Sequence, residues 1–79
     1  MGTDKTGDAE NAAIATVFRN RKEELGLNFE QLATMTGFSV RTVKRYLHDE
    51  RLLRIRDVRS LSSALDMTLI EVFTKAELS

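Results

Sequence analysis

The chain has 79 residues and a mass of 8.9 kDa, with no cysteine, proline or tryptophan and 12 basic side chains matched by 12 acidic ones. That length predicts one small domain and excludes a binding domain with a separate catalytic or effector domain. Without cysteine there is no thiolate nucleophile, cysteine-type zinc site or iron–sulfur cluster, a composition that fits a reducing cytoplasm.

Helices are favoured by the missing prolines and by a hydrophobic fraction of 42%. No run of apolar residues is long enough to cross a membrane, and the polar start is not a secretory signal. Met1, Gly2 and Thr6 match a myristoylation pattern, but no polybasic second signal accompanies them. Residues 1–11 therefore read as a flexible N-terminal arm.

Ile14, Val17 and Phe18 form an apolar stripe at helical spacing and predict a first helix over 12–25. Arg19, Asn20, Lys22, Glu23 and Glu24 fall on its outward faces, and Gly26 stops it. Asn28 with Gln31 three residues later is a capping-box pattern that opens a second helix over 29–36. Its inward side is Leu32, Ala33 and either Met35 or Thr36, and Gly37 ends it. Ser39 caps a third helix over 40–48, with Val43, Tyr46 and Leu47 inward and Arg41, Thr42, Lys44 and Arg45 outward. Ile55, Val58, Leu61 and Leu65 predict a fourth helix over 54–65, followed by Asp66 where a glycine often stands. Thr68 and Glu71 form a second capping box, opening a fifth helix that buries Leu69, Val72 and Phe73. The last residues, 74–79, are expected to fray, with the domain itself spanning 12–75 and a frayed C-terminus at 76–79. No strand pattern is visible, so the class is all-α.

Charge is not spread evenly along this neutral chain. Residues 41–59 hold seven basic side chains, six of them arginine, against Asp49, Glu50 and Asp57, while the flanking segments are acidic. Arginine suits bidentate phosphate and base contacts better than lysine. The helix-turn-helix arrangement needs a small residue where two helices approach, a glycine free to take positive φ, and apolar plugs in the angle between them. Ala33, Gly37, Phe38 and Val43 fill those places in FEQLATMTGFSVRTVKRYL.

On these residues the chain resembles the Cro/phage-repressor (XRE-type) helix-turn-helix domains. The likeness runs from FRNRKEELGLNFEQLA through TGFSVRTVKRYL into RDVRSLSSALDMTLIEVF, about residues 12–75. It implies a compact five-helix, lambda-repressor-like bundle in which helices 2 and 3 are the helix-turn-helix. It further implies double-stranded DNA as the partner, with Ser39, Val40, Arg41, Lys44 and Arg45 facing bases in the major groove. Asn28, Gln31, Thr42, Arg51, Arg54 and Arg56 would then meet the DNA backbone. The expected role is a bacterial or phage repressor or Cro-like regulator, cytoplasmic, acting either as a weak or DNA-assisted homodimer or as a monomer aided by its N-terminal arm. The sequence departs from the family in carrying Phe29 where a glutamine commonly opens the second helix, and an apolar Val40 where the recognition helix usually starts with a polar residue.

Other chemistries find little support. His48, the one histidine, has no convergent partners, the adjacent carboxylates do not face each other on a helix, and no phosphate loop or HExxH is present. No enzyme, metal, cofactor or small-molecule ligand is expected, and no membrane contact. The competing reading is a protein-binding helix-turn-helix adaptor, such as an antitoxin or a regulator of another DNA-binding protein. Phe29, Met35 and Phe73 would be its apolar patch, although Met35 and Phe73 read more simply as core or edge residues.

Overall fold

The computed structural model describes residues 2–77, all but the loops helical: α1 Gly2–Glu24, α2 Phe29–Thr36, α3 Val40–Leu47, α4 Ile55–Ala64 and α5 Leu69–Glu77. Met1 of the myristoylation pattern, and residues 78 and 79, lie outside the described residues. The expected boundaries of α2, α3 and α4 hold to within a residue. Both outer helices are longer than predicted. The first reaches back to Gly2 instead of starting at 12, since a polar segment with Ala9, Ala12 and Ala13 can continue a helix without any apolar stripe. The fifth runs to Glu77, past the predicted fraying, because Ala76 still packs on the core.

Local chemistry explains the ends. Asn28 Oδ1 accepts the Gln31 N–H at 2.7 Å, and Gln31 Oε1 accepts the Asn28 N–H at 2.9 Å, a complete capping box. Thr68 and Glu71 repeat it at 2.9 and 3.1 Å. The hydrogen bond from the Thr68 backbone, then that to its side chain, holds the Glu71 carboxyl below its ordinary value. The stabilisation is therefore present above the ordinary glutamate range and is lost on acidification. At the other ends, Gly26, Asp49 and Asp66 take left-handed φ of 69°, 59° and 56°. The N–H groups of Leu27, Glu50 and Met67 then reach back to the carbonyls of Lys22, Arg45 and Ser62, closing three Schellman turns.

Every helix contributes to one core. Phe18, Leu32, Val43, Leu47, Leu61, Leu65 and Val72 are fully buried, and burying side chains of this size stabilises by about 1.5–3 kcal/mol each. Long α1 lies against α5, and α2 packs on both α3 and α4. Two apolar expectations fail, and the choice left open between Met35 and Thr36 is decided. Ile55 is 59% exposed because it opens α4 beyond the reach of the core, and the buried stripe starts with Asp57 and Val58. Met35 is 52% exposed, since Thr36 takes the inward place by folding its hydroxyl onto the Leu32 and Ala33 carbonyls. Phe73 is exposed at the rim of a groove between α1 and α5, where Ile14 and Ala76 lie.

Arg19, Arg21 and Lys22 of α1 are not simply solvated, contrary to the outward reading of Arg19 and Lys22. Arg19 Nη1 donates to the Leu47 carbonyl at 2.6 Å, and Arg21 Nε to the Leu65 carbonyl at 3.0 Å. Each guanidinium thus neutralises the negative end of a helix, α3 and α4 respectively. Lys22 Nζ donates to the Leu27 carbonyl at 3.1 Å.

Candidate nucleic-acid interface

The turn between α2 and α3 is built from four sequence features acting together. Gly37 has φ 82°, and a side chain there would have space but would be strained by the dihedral itself. Its N–H caps α2 on the Ala33 carbonyl at 2.9 Å. Ala33 and Val43 are buried between the helices, and the Phe38 ring lies 5.6 Å from that of Tyr46. With Val43, Tyr46 and Leu47 turned inward, helical periodicity forces the rest of α3 outward.

That outward surface is Val40, Arg41, Lys44, Arg45 and His48, which together with Glu50 line one open concavity. Arg41, Lys44 and Arg45 are exposed. The side chains of Arg41 and Arg45 have no hydrogen-bond or ion-pair partner among the described residues, leaving ten guanidinium N–H donors for an external acceptor. Val40 is half-buried and packed on the core, so only part of its side chain is offered outward. Ser39 Oγ accepts the Thr42 N–H at 3.1 Å and donates to Thr42 Oγ1 at 2.9 Å. The Ser39 proton is thereby occupied, while the half-buried Thr42 keeps its own hydroxyl proton to donate.

The backbone-contact set is placed less uniformly. Asn28 and Gln31 are exposed but committed to each other in the capping box. The N–H groups of Phe29 and Glu30, in the same first turn, are the ones left for an anion. The Arg51 guanidinium stacks over the Tyr46 ring, 5.4 Å from its centroid. Arg54 is the N-cap residue of α4, and Arg56 is exposed in its first turn. Neither lines the concavity on α3.

A polar frame that periodicity does not reveal fixes the segment between α3 and α4. Buried Asn11 of α1 donates through Nδ2 to Asp49 Oδ1 and, at 3.5 Å, to the Arg51 carbonyl. Its Oδ1 accepts the Leu53 N–H at 2.7 Å. Asp57 Oδ2 accepts the buried Tyr46 hydroxyl at 2.9 Å and the Arg54 N–H at 3.1 Å. Arginine has no acceptor, so the N-cap of α4 is one-sided. Burial, then the bond to Asp57 and its charge, raise the Tyr46 pKa above 10.0.

A raised phenol pKa favours the protonated fold, so that stability is present below pH 10 and is lost as pH rises through the folded-state value. Tyr46→Phe is expected to cost about 1 kcal/mol at neutral pH and to flatten the alkaline limb of stability. Urea unfolding across that pH range checks both.

Lys22 and Phe29 were also missed as neighbours of this surface. The Phe29 ring meets His48 edge-on, with centroids 5.7 Å apart, and brings the start of α2 against the outward face of α3. Nothing in the spacing of the chain signals that contact.

Among the described residues, no group of three or more metal-ligating side chains comes together, and no helix is long and apolar enough to cross a membrane. No curated protein sequence matches the chain. A family model described as helix-turn-helix matches residues 18–72, from Phe18 on α1 to Val72 on α5, with the α2–turn–α3 unit at its centre. The chain belongs to the XRE/Cro-type helix-turn-helix family of DNA-binding regulators.

Proposed function

We propose that the protein is a sequence-specific transcriptional regulator of a bacterium or phage, a cytoplasmic repressor or Cro-like protein that reads the major groove with residues 40–48. The observation that carries this reading is the basic surface of Arg41 and Arg45, unpaired among the described residues, with Lys44 between them, on the face of α3 that the core leaves open. Arg41 and Arg45 read base edges together with the outward part of Val40, Ser39 borders them, and Lys44 between them reaches a phosphate. Thr42, Arg51, Arg54, Arg56 and the first turn of α2 from Asn28 to Gln31 hold phosphates. Occupancy of a promoter suffices for repression.

One recognition helix covers too few base pairs for useful specificity, so two copies on half-sites about one helical turn apart are the economical arrangement. Selection from random duplexes is expected to return a defined motif with two-fold symmetry. Affinity for it should fall steeply with salt. A selected pool with no motif, bound without salt dependence, would favour a protein-binding adaptor instead. The observation behind that second reading is the exposure of large apolar side chains on two helices, Met35 on α2 and Ile70 and Phe73 on α5.

A further inference from the structure

Phe29 stands where the family commonly has a hydrogen-bonding glutamine, and two lysine ammonium groups approach its ring. Lys22 of α1 places Nζ 4.6 Å from the ring centroid, and Lys44 of α3 places its own at 5.6 Å. The Leu27 carbonyl fixes Lys22 further, and the edge of His48 closes one side of the ring. Neither lysine pairs with a carboxylate among the described residues.

An aromatic quadrupole attracts ammonium groups over its face. Lysine side chains are long and lose much rotamer freedom when they bind, so ordering them beforehand lowers the cost of contact. We propose, resting on the DNA-binding reading above, that Phe29 is a positioning residue that holds Lys22 and Lys44 as a paired phosphate clamp. The clamp sits where α1, α2 and α3 meet. It replaces the single directional hydrogen bond of a glutamine with two oriented charges, one of them from a helix outside the helix-turn-helix. Because the ring favours cations without naming a base, the clamp raises affinity for all duplexes alike.

The test compares the parent with Phe29→Leu, which keeps apolar bulk, and Phe29→Trp, which keeps an aromatic face. In the free protein, the ε-methylene protons of Lys22 and Lys44 should show ring-current shifts in NMR spectra of the parent and Phe29→Trp but not of Phe29→Leu. With the selected site and with a mixed-sequence duplex, Phe29→Leu should bind about three- to ten-fold more weakly. Its salt dependence should be shallower by roughly one to two charges, with base preference unchanged. Phe29→Trp should restore both quantities. Lys44→Ala should cost less in the Phe29→Leu background than in the parent. Missing ring-current shifts in the parent, or Phe29→Leu binding as the parent does, overturns the clamp alone. A parent that binds no duplex overturns the DNA-binding reading and the clamp with it.

Discussion

Replacing Arg41 with alanine is expected to erase base preference at one position of each half-site. Arg41 lies in the first turn of α3, exposed, with its guanidinium unpaired among the described residues. A bidentate arginine contact to a guanine edge discriminates by about 1–3 kcal/mol, roughly five- to 150-fold. The loss should appear as a flattened column in the selected motif, and as a drop in affinity for the best site with little change on mixed-sequence DNA. Arg54→Ala is the matched control. It lies at the start of α4, outside the α3 concavity, so it should weaken all sequences alike and reduce the salt slope by about one. Parent-like binding of the selected site by both variants would refute the assignment of α3 as the reading helix.

Asn11→Ala is expected to lower stability by about 1–3 kcal/mol, the cost of stranding a polar group that loses its partner in a buried setting. The group most affected is the half-buried Leu53 N–H, since Asp49 and Arg51 are exposed and water can replace the amide there. In a domain of this size that shift is several degrees in midpoint temperature. Its consequence reaches the interface, because Asn11 ties the segment carrying Arg51 to α1. The variant should therefore also lose affinity for every duplex, even at temperatures where it remains folded. Asn11→Asp is a harsher control than its size suggests: it retains an acceptor for Leu53 but sets a carboxylate against Asp49. Thermal melting together with binding on mixed-sequence DNA checks the pair. An unchanged midpoint for Asn11→Ala would show that the segment is held by its own turn alone.

These effects differ in how far the sequence foretells them. Asn28 with Gln31, Thr68 with Glu71, and Gly37 were legible because capping joins groups three or four residues apart, and the chemistry of such short spans is written locally. Asp66 was legible for the same reason, as a residue standing in a glycine's place. Asp49 was not, although it closes the same kind of turn, because its polar neighbours read as a featureless linker. The structure supplies a reason for aspartate there beyond the turn: its carboxylate accepts the Asn11 amide. Arg19 looked like a solvated helix charge, since periodicity reports only that a side chain is off the apolar stripe. It does not report that the end of another helix lies within reach.

The candidate site divides in the same way. The outward set Arg41, Lys44 and Arg45 follows from helical period once Val43, Tyr46 and Leu47 are taken as inward. Half-burial of Val40, the self-pairing of Ser39 with Thr42 and the gathering of Lys22 and Lys44 around Phe29 depend on how helices cross, and no spacing encodes that.

The equal count of 12 basic and 12 acidic residues now has physical content. By itself the sequence determined five helices, the capping boxes of α2 and α5, an all-α core and a basic stretch between acidic flanks, because each of these is a property of neighbours along the chain. Only the tertiary structure decided how the charges are used: Arg19 and Arg21 on helix ends, Asp57 inside with Tyr46, Arg41 and Arg45 left open. Packing decides this because a charge takes its role from whichever carbonyl, ring or solvent lies within a few ångströms, and only the folded chain sets those distances.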